Sequence, residues 1–374
     1  MDTSFYNPSL IDFTKEPIFF GKGKNTQRYD VLKYKFFDDL NDKMLGQYWR
    51  PDEIDVARDK RDFHIMPDNM KNAYTRVLQR LIFLDSAQGR GMLQTFGNYI
   101  TNPEFESLVT TWEFFENIHS RSYTHILRSV YENPTEIFDE SFTLEPLVKI
   151  AKSIISKYDL CFSDSIVYLD KSLKYKDFIE SDGLKESLLR LLVEINILEG
   201  ARFFSGFATI WSMHYSQGLM ERTTNILRLI CRDENTHLQA TQYLLKILKN
   251  SPEEGFAEIY KKIEPQIPEM FRDAMDEEFQ WIDFIFEKGS FLGMTPDLAK
   301  LYLKHICNKR LKAIHAPTIY EGVSKNPIPW VDNYIYYDSV EVLPQEAELT
   351  NYVFDNLDKS ISDSKIESLK GSLK

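Results

Sequence analysis

The chain has 374 residues, of which 43% are hydrophobic and 14% aromatic, with a formal charge of −12 at neutral pH. That apolar content supports a sizeable core, and the acidic balance argues against a nucleic-acid footprint, which would need a basic face. No stretch approaches the roughly 18 consecutive apolar residues of a membrane span, and residues 1–10 lack the basic-then-apolar pattern of a secretory signal.

In chain order, residues 1–35 read as an extended polar arm, broken by Pro8, Pro17 and a Gly21-Lys22-Gly23 turn. From about Tyr34 to Ala313 helical periodicity dominates. It predicts helices near 34–46, 67–99, 103–131, 143–171, 184–217, 221–249, 252–287 and 295–313. Breakers separate them at Asn133-Pro134, Ser181-Asp182-Gly183, Ser251-Pro252 and between Gly293 and Pro296. Alternating strand patterns are scarce, so the expected class is all-α, a helical bundle over residues 36–337. Asn326-Pro327-Ile328-Pro329-Trp330 is a rigid turn that cannot be helix interior. Residues 338–374 are charged and rich in Ser, Lys and Asp, and read as a flexible tail. Cys161, Cys231 and Cys307 form no Cys-x-x-Cys pair. An odd, scattered set of thiols suits a reducing cytoplasm and supplies no dithiol.

One pattern occurs twice: a lone carboxylate on an apolar helical face, followed about one hairpin later by Glu-x-x-His. The first copy is Asp85, then Glu116 and His119; the second is Glu199, then Glu234 and His237. Asp85 shares a face with Leu78, Leu81, Ile82 and Met92, and Glu199 with Ile195, Phe203 and Phe207, by spacings of three and four. A buried ionised carboxylate must be paired, protonated or metal-bound. Residues i and i+3 lie one turn apart on one face, so each Glu-x-x-His can reach one ion. Turns at Asn98 to Pro103 and Ser216 to Gly218 fold each pair into an antiparallel hairpin with its ligands at one height. One carboxylate from each of two helices, with Glu-x-x-His from each of two others, is the ligand pattern of ferritin-like di-metal proteins. Carboxylate oxygens with one imidazole per metal suit Fe or Mn better than Zn or Cu. The competing reading is a set of buried ion pairs, with Arg121, Arg202 and Arg232 as the cations.

The strings Asp85-Ser86-Ala87-Gln88-Gly89-Arg90, Glu116-Asn117-Ile118-His119-Ser120-Arg121-Ser122-Tyr123 and Arg232-Asp233-Glu234-Asn235-Thr236-His237 resemble the radical-generating small subunit of class I ribonucleotide reductase, closest to class Ia. The likeness runs from Lys15-Glu16-Pro17 through Trp49-Arg50-Pro51 and the Asn326 to Trp330 turn to Tyr352. It implies a homodimeric, cytoplasmic subunit that works with a large subunit and uses two irons, or manganese, and O2. Asp85, Glu116 and His119 would hold one metal and Glu199, Glu234 and His237 the other, with Glu116 and Glu234 bridging. Tyr123 would be oxidised to a stable radical, in an apolar pocket that includes Phe203, Phe207 and Ile230. Trp49 and Asp233 would carry an electron to the site, and Tyr352, with Glu346 nearby, would relay the radical to the large subunit. Ser360 to Lys374 depart from the acidic, apolar end usual in the family, though Ile361, Ile366, Leu369 and Leu373 could dock as an induced amphipathic segment. A stand-alone di-iron oxidase of the same bundle class, an iron-storage protein and a metal-free helical scaffold are the alternatives; Trp49 and Tyr352 favour the reductase.

Overall fold

A computed structural model describes residues 8–22, 26–174 and 181–336. Tyr352, Glu346 and the tail from 338 onward lie outside the described residues. The described residues up to Ile335 form one compact unit, with helices and two isolated bridges but no β-strand among them.

Four long helical rods build the centre. They are α3 (Asp68–Phe96), α4 (Pro103–Val130), the rod made by α7 (Asp182–Ile197) and α8 (Phe203–Gln217), and α9 (Glu221–Asn250). The rods α3 and α4 pack side by side, as do α8 and α9, which makes two hairpins. Local chemistry sets their ends. Asn102 caps α4 by accepting a hydrogen bond from Phe105 N–H at 2.9 Å, and Pro103 occupies the first turn. The C-terminus of α8 falls on Gly218, whose φ of +67° suits glycine. The N-terminus of α9 is capped from outside: Asp59 accepts from Arg222 and Thr223 N–H, and Asp62 accepts from Met220 N–H. Both carboxylates come from α2 (Ala57–Ile65).

The remaining elements wrap the four. They are α1 (Lys35–Gly46), α5 (Pro134–Ser141), α6 (Glu145–Lys174), α10 (Ala257–Ile263), α11 (Ile267–Ile285), α12 (Pro296–Ala313) and the short α13 (Asp332–Ile335). The stretch predicted as one helix over 252–287 is two. Gly255, at φ +75°, and the 3-10 turn Glu264–Gln266 around Pro265 break it. The helix α2 has too few apolar positions to show periodicity, and α5 uses Pro134 as a starting residue rather than a breaker. The arm is not simply polar: Ile18 and Phe19 are buried in the core. Glu254 holds it by accepting from Ile18 N–H, Lys33 Nζ and Tyr34 Oη, each at 2.6 Å.

A candidate di-metal centre

Asp85 comes from α3, Glu116 and His119 from α4, and Glu234 and His237 from α9. Glu199 comes from the turn Leu198–Arg202 that joins α7 to α8, which is π-helical. All six are fully buried. Their ligand atoms gather in two groups, each with members within 4.8 Å of one another: Asp85, Glu116, His119 and Glu234, then Glu116, Glu199, Glu234 and His237. Glu116 and Glu234 belong to both groups.

The donor atoms point inward and are short of partners. Both oxygens of Asp85, Glu116 Oε2, Glu199 Oε2 and Glu234 Oε1 make no hydrogen bond, nor does His119 Nδ1. His119 Nδ1 stands 3.4 Å from Glu116 Oε2 and 3.1 Å from Glu234 Oε1. His237 Nδ1 stands 3.2 Å from Glu116 Oε1 and 2.8 Å from Glu234 Oε2. Buried polar atoms without partners are rare in folded proteins, and this many converging on one point fit a pair of cations.

The proposed competing cations go elsewhere. Arg202 pairs with Glu277 at 2.7 Å and Glu278 at 3.0 Å, Arg232 reaches Asp233 and Gln47, and Arg121 is exposed. Packing these groups together shifts their pKa values in opposite directions. Burial drives the carboxyls of Asp85 and Glu199 well above their usual range, with the neighbouring charges of Glu116 and Glu234 adding to it. Burial opposes a charge on His119, yet Glu234, Asp233 and Glu116 hold its pKa well above normal. Burial would raise Glu116, but the two imidazoles beside it outweigh burial and hold it low, at about 2.

A second layer of side chains orients the first. Trp112 Nε1 donates to Glu116 Oε1 at 2.8 Å, and its indole stacks on the His237 ring at 4.6 Å. Gln88 donates to Glu199 Oε1 at 2.5 Å and accepts from the Tyr158 hydroxyl. Tyr158 and Gly91 line a cavity of about 540 Å³ between α3, α5 and α6. Asp233 Oδ2 lies 3.2 Å from His119 Nε2 and accepts from Trp49 Nε1 at 2.8 Å. Trp112, Gln88 and Tyr158 received no role from the residue pattern. Gln88 was within reach of it, three residues past Asp85 on the same face; Tyr158 sits in a stretch with no motif.

Tyr123 is fully buried, and its hydroxyl makes no hydrogen bond of good geometry. Burial pushes the phenol pKa far up, and the Asp85 carboxylate is the charged neighbour that adds most. Phe203, Phe207 and Ile230 are likewise fully buried, with the two phenylalanine rings stacked at 5.9 Å.

Comparison with known proteins agrees with this geometry. The family model for the ribonucleotide reductase small chain matches residues 28–327. The chain belongs to the ribonucleotide reductase small-chain family. The small chain is 36% identical to ribonucleoside-diphosphate reductase 1 subunit beta of Escherichia coli O157:H7, over 98% of both chains. It is 35% identical to the subunit beta of Haemophilus influenzae, over 95% of this chain and 96% of that one. Among solved structures, the ribonucleotide reductase R2 subunit from Clostridium botulinum superposes with a TM-score of 0.74 at 30% identity, covering 86% of this chain and 94% of that one. This small chain is therefore an oxidoreductase subunit with a ferritin-like fold and a site for two metals, and a small chain implies a large-chain partner. No helix among the described residues is long and apolar enough to cross a membrane.

Proposed function

We propose that this chain generates a radical on Tyr123 and passes it to the large chain for the reduction of ribonucleotides. The observation that carries the reading is the pair of four-residue groups sharing Glu116 and Glu234, with Tyr123 one turn beyond His119 on α4. Asp85, Glu116 and His119 would hold one ion, and Glu199, Glu234 and His237 the other. When bound, two irons (or two manganese ions) with O2 would supply the oxidising power that removes one electron and one proton from Tyr123.

The chain's own residues do the rest. Asp85, ionised once a metal is held there, would take the phenol proton. The apolar wall of Phe203, Phe207 and Ile230 excludes water and reductants from the oxidised ring. Asp233 accepts from His119 Nε2–H, which leaves Nδ1 as a lone pair facing the metal site. The same carboxylate joins Trp49 to that imidazole, so Trp49 is the entry point for the extra electron and the first station on the way out. Tyr352 would be the next station, toward a thiol on the large chain. The thiols Cys161, Cys231 and Cys307 are all buried and unpaired, which supports a reducing dithiol located on the partner. We assign the active form to a homodimer in the cytoplasm.

The test is reconstitution. The metal-free protein is loaded with Fe(II), exposed to O2 and examined by EPR. A tyrosyl signal that is absent from Tyr123→Phe supports the assignment. Two metals bound but no radical, with either Fe or Mn, would remove Tyr123 from this role.

A further inference from the structure

Glu199 differs from the other five ligands in how the chain presents it. It stands in the π-helical turn Leu198–Arg202, closed by Phe203 N–H on the Leu198 carbonyl. Such turns have poorer internal geometry than an α-helix and recur at functional sites. They last where the surroundings hold them, and here two arginines do so. Arg202, the last residue of the turn, is tied to Glu277 and Glu278. Arg310, from α12, donates its Nε–H to the Gly200 carbonyl at 2.8 Å, one residue past Glu199. Its guanidinium lies 4.8 Å above the Phe204 ring centroid, and the residue is only 7% exposed.

The glycine at 200 is what admits the arginine. A Cβ there would come within 3.1 Å of Arg310 Cγ and Cδ and 3.0 Å of Leu238 Cδ1. The stem of Arg310 thus lies directly on the backbone of the turn. A buried guanidinium is costly unless its donors are used, and α12 carries none of the six ligands. Collapse of the turn to α geometry would change the register by one residue, a rotation of about 100° at 3.6 residues per turn. That rotation would carry the Glu199 carboxylate away from Glu116, Glu234 and His237.

We propose that Arg310 is a positioning residue for the second half-site, fixing through the Gly200 carbonyl the π-helical register that aims Glu199 at the metal. This rests on the reading of the six residues as a di-metal site. The other five ligands sit on α-helical stretches, away from the Gly200 carbonyl, so loss of Arg310 acts first on the Glu199 half-site.

The experiment titrates the full-length metal-free protein with Mn(II), following binding by calorimetry and spin coupling by EPR. The unaltered protein takes two equivalents and shows a coupled pair; fewer than two would overturn the di-metal reading itself. In Arg310→Met the first equivalent binds as before. The second weakens about 10- to 100-fold, the usual range for groups that orient a ligand, so isolated Mn(II) replaces the coupled pair. Gly200→Ala, which displaces Arg310 by crowding, gives the same selective loss, and decides the question if Arg310→Met does not fold. Arg310→Lys, which keeps a donor, recovers part of the second affinity. With two equivalents intact in the unaltered protein, an unchanged second affinity in both variants overturns the proposal. So does a parallel loss at both equivalents that tracks thermal stability.

Discussion

Trp49 and His119 meet on a single atom. Asp233 Oδ2 accepts from the indole Nε1 at 2.8 Å and lies 3.2 Å from the imidazole Nε2. One oxygen therefore serves two tasks, orientation of a metal ligand and connection to the tryptophan, and substitutions can separate them. Trp49→Phe removes only the indole donor. It is expected to bind both metals with unchanged affinity and to form the Tyr123 radical more slowly or in lower yield, as read by stopped-flow absorbance and EPR. Asp233→Asn weakens the partner of His119 as well. Metal affinity at the His119 half-site is expected to fall about 10- to 100-fold. Equal effects of the two substitutions on metal binding would show that the tasks are not separable.

The six ligands were legible because helical spacing makes one face out of i, i+3 and i+4, and because two Glu-x-x-His units with matched lone carboxylates have few other uses. What surrounds them was less so. Tyr158 reaches Gln88 across 70 residues of sequence, and no local pattern announces a partner so distant. The π-helical turn at Glu199 is a change of hydrogen-bond register within one continuous helical stretch, Ile195 to Phe207, and register leaves no mark on composition. The helix α2 was missed because it is mostly charged. Its Asp59 and Asp62 are spent on capping α9, a long-range use that looks like solvated surface in sequence.

The contact between Gly91 and Tyr158 gives a packing prediction. A Cβ at position 91 would lie 2.1 Å from Tyr158 Cδ1, and the ring it meets is held among buried neighbours. Gly91→Ala is expected to destabilise the metal-free protein by about 1–3 kcal/mol through overpacking, measured by urea denaturation. Tyr158→Leu in the same chain should recover part of that loss, so the two changes are non-additive. Additive losses would show that the alanine strains something other than Tyr158.

Glu278 sits between Arg80 and Arg202 and also accepts from Ser205. It is fully buried, and both arginines are nearly so. Glu278→Gln leaves two guanidiniums facing each other without their shared counter-charge. Breaking a buried pair in this way costs about 3–5 kcal/mol, and the loss should appear as a lower denaturation midpoint with an unchanged slope. Because Arg202 is the last residue of the π-helical turn and Glu278 anchors it, Glu278→Gln is also expected to weaken the second metal equivalent more than the first.

Protons and metals compete for the same six side chains, which sets the sign of a pH effect. In the metal-free protein Asp85, Glu199, Glu234, His119 and His237 all have pKa values raised above their ordinary ones, Glu234 to about 8. Groups raised on folding bind more protons in the folded than in the unfolded chain. Their contribution is therefore fully present below the ordinary pKa values, about 4 for the carboxyls and 6.5 for the imidazoles, and is lost as pH rises through the raised ones. Glu116 and Asp233 are lowered and act in the opposite sense, but they are fewer. Metal binding needs the deprotonated ligands and releases their protons, so it gains strength over the same range. The gap between the melting temperatures of the metal-loaded and metal-free proteins is thus expected to widen from about pH 6 to about pH 8, with protons released on loading in a weakly buffered titration. The difference between the two forms cancels the pH response of the rest of this acidic chain. A gap that stays constant or narrows would mean that the cluster is already ionised without metal, its charges balanced by groups other than protons.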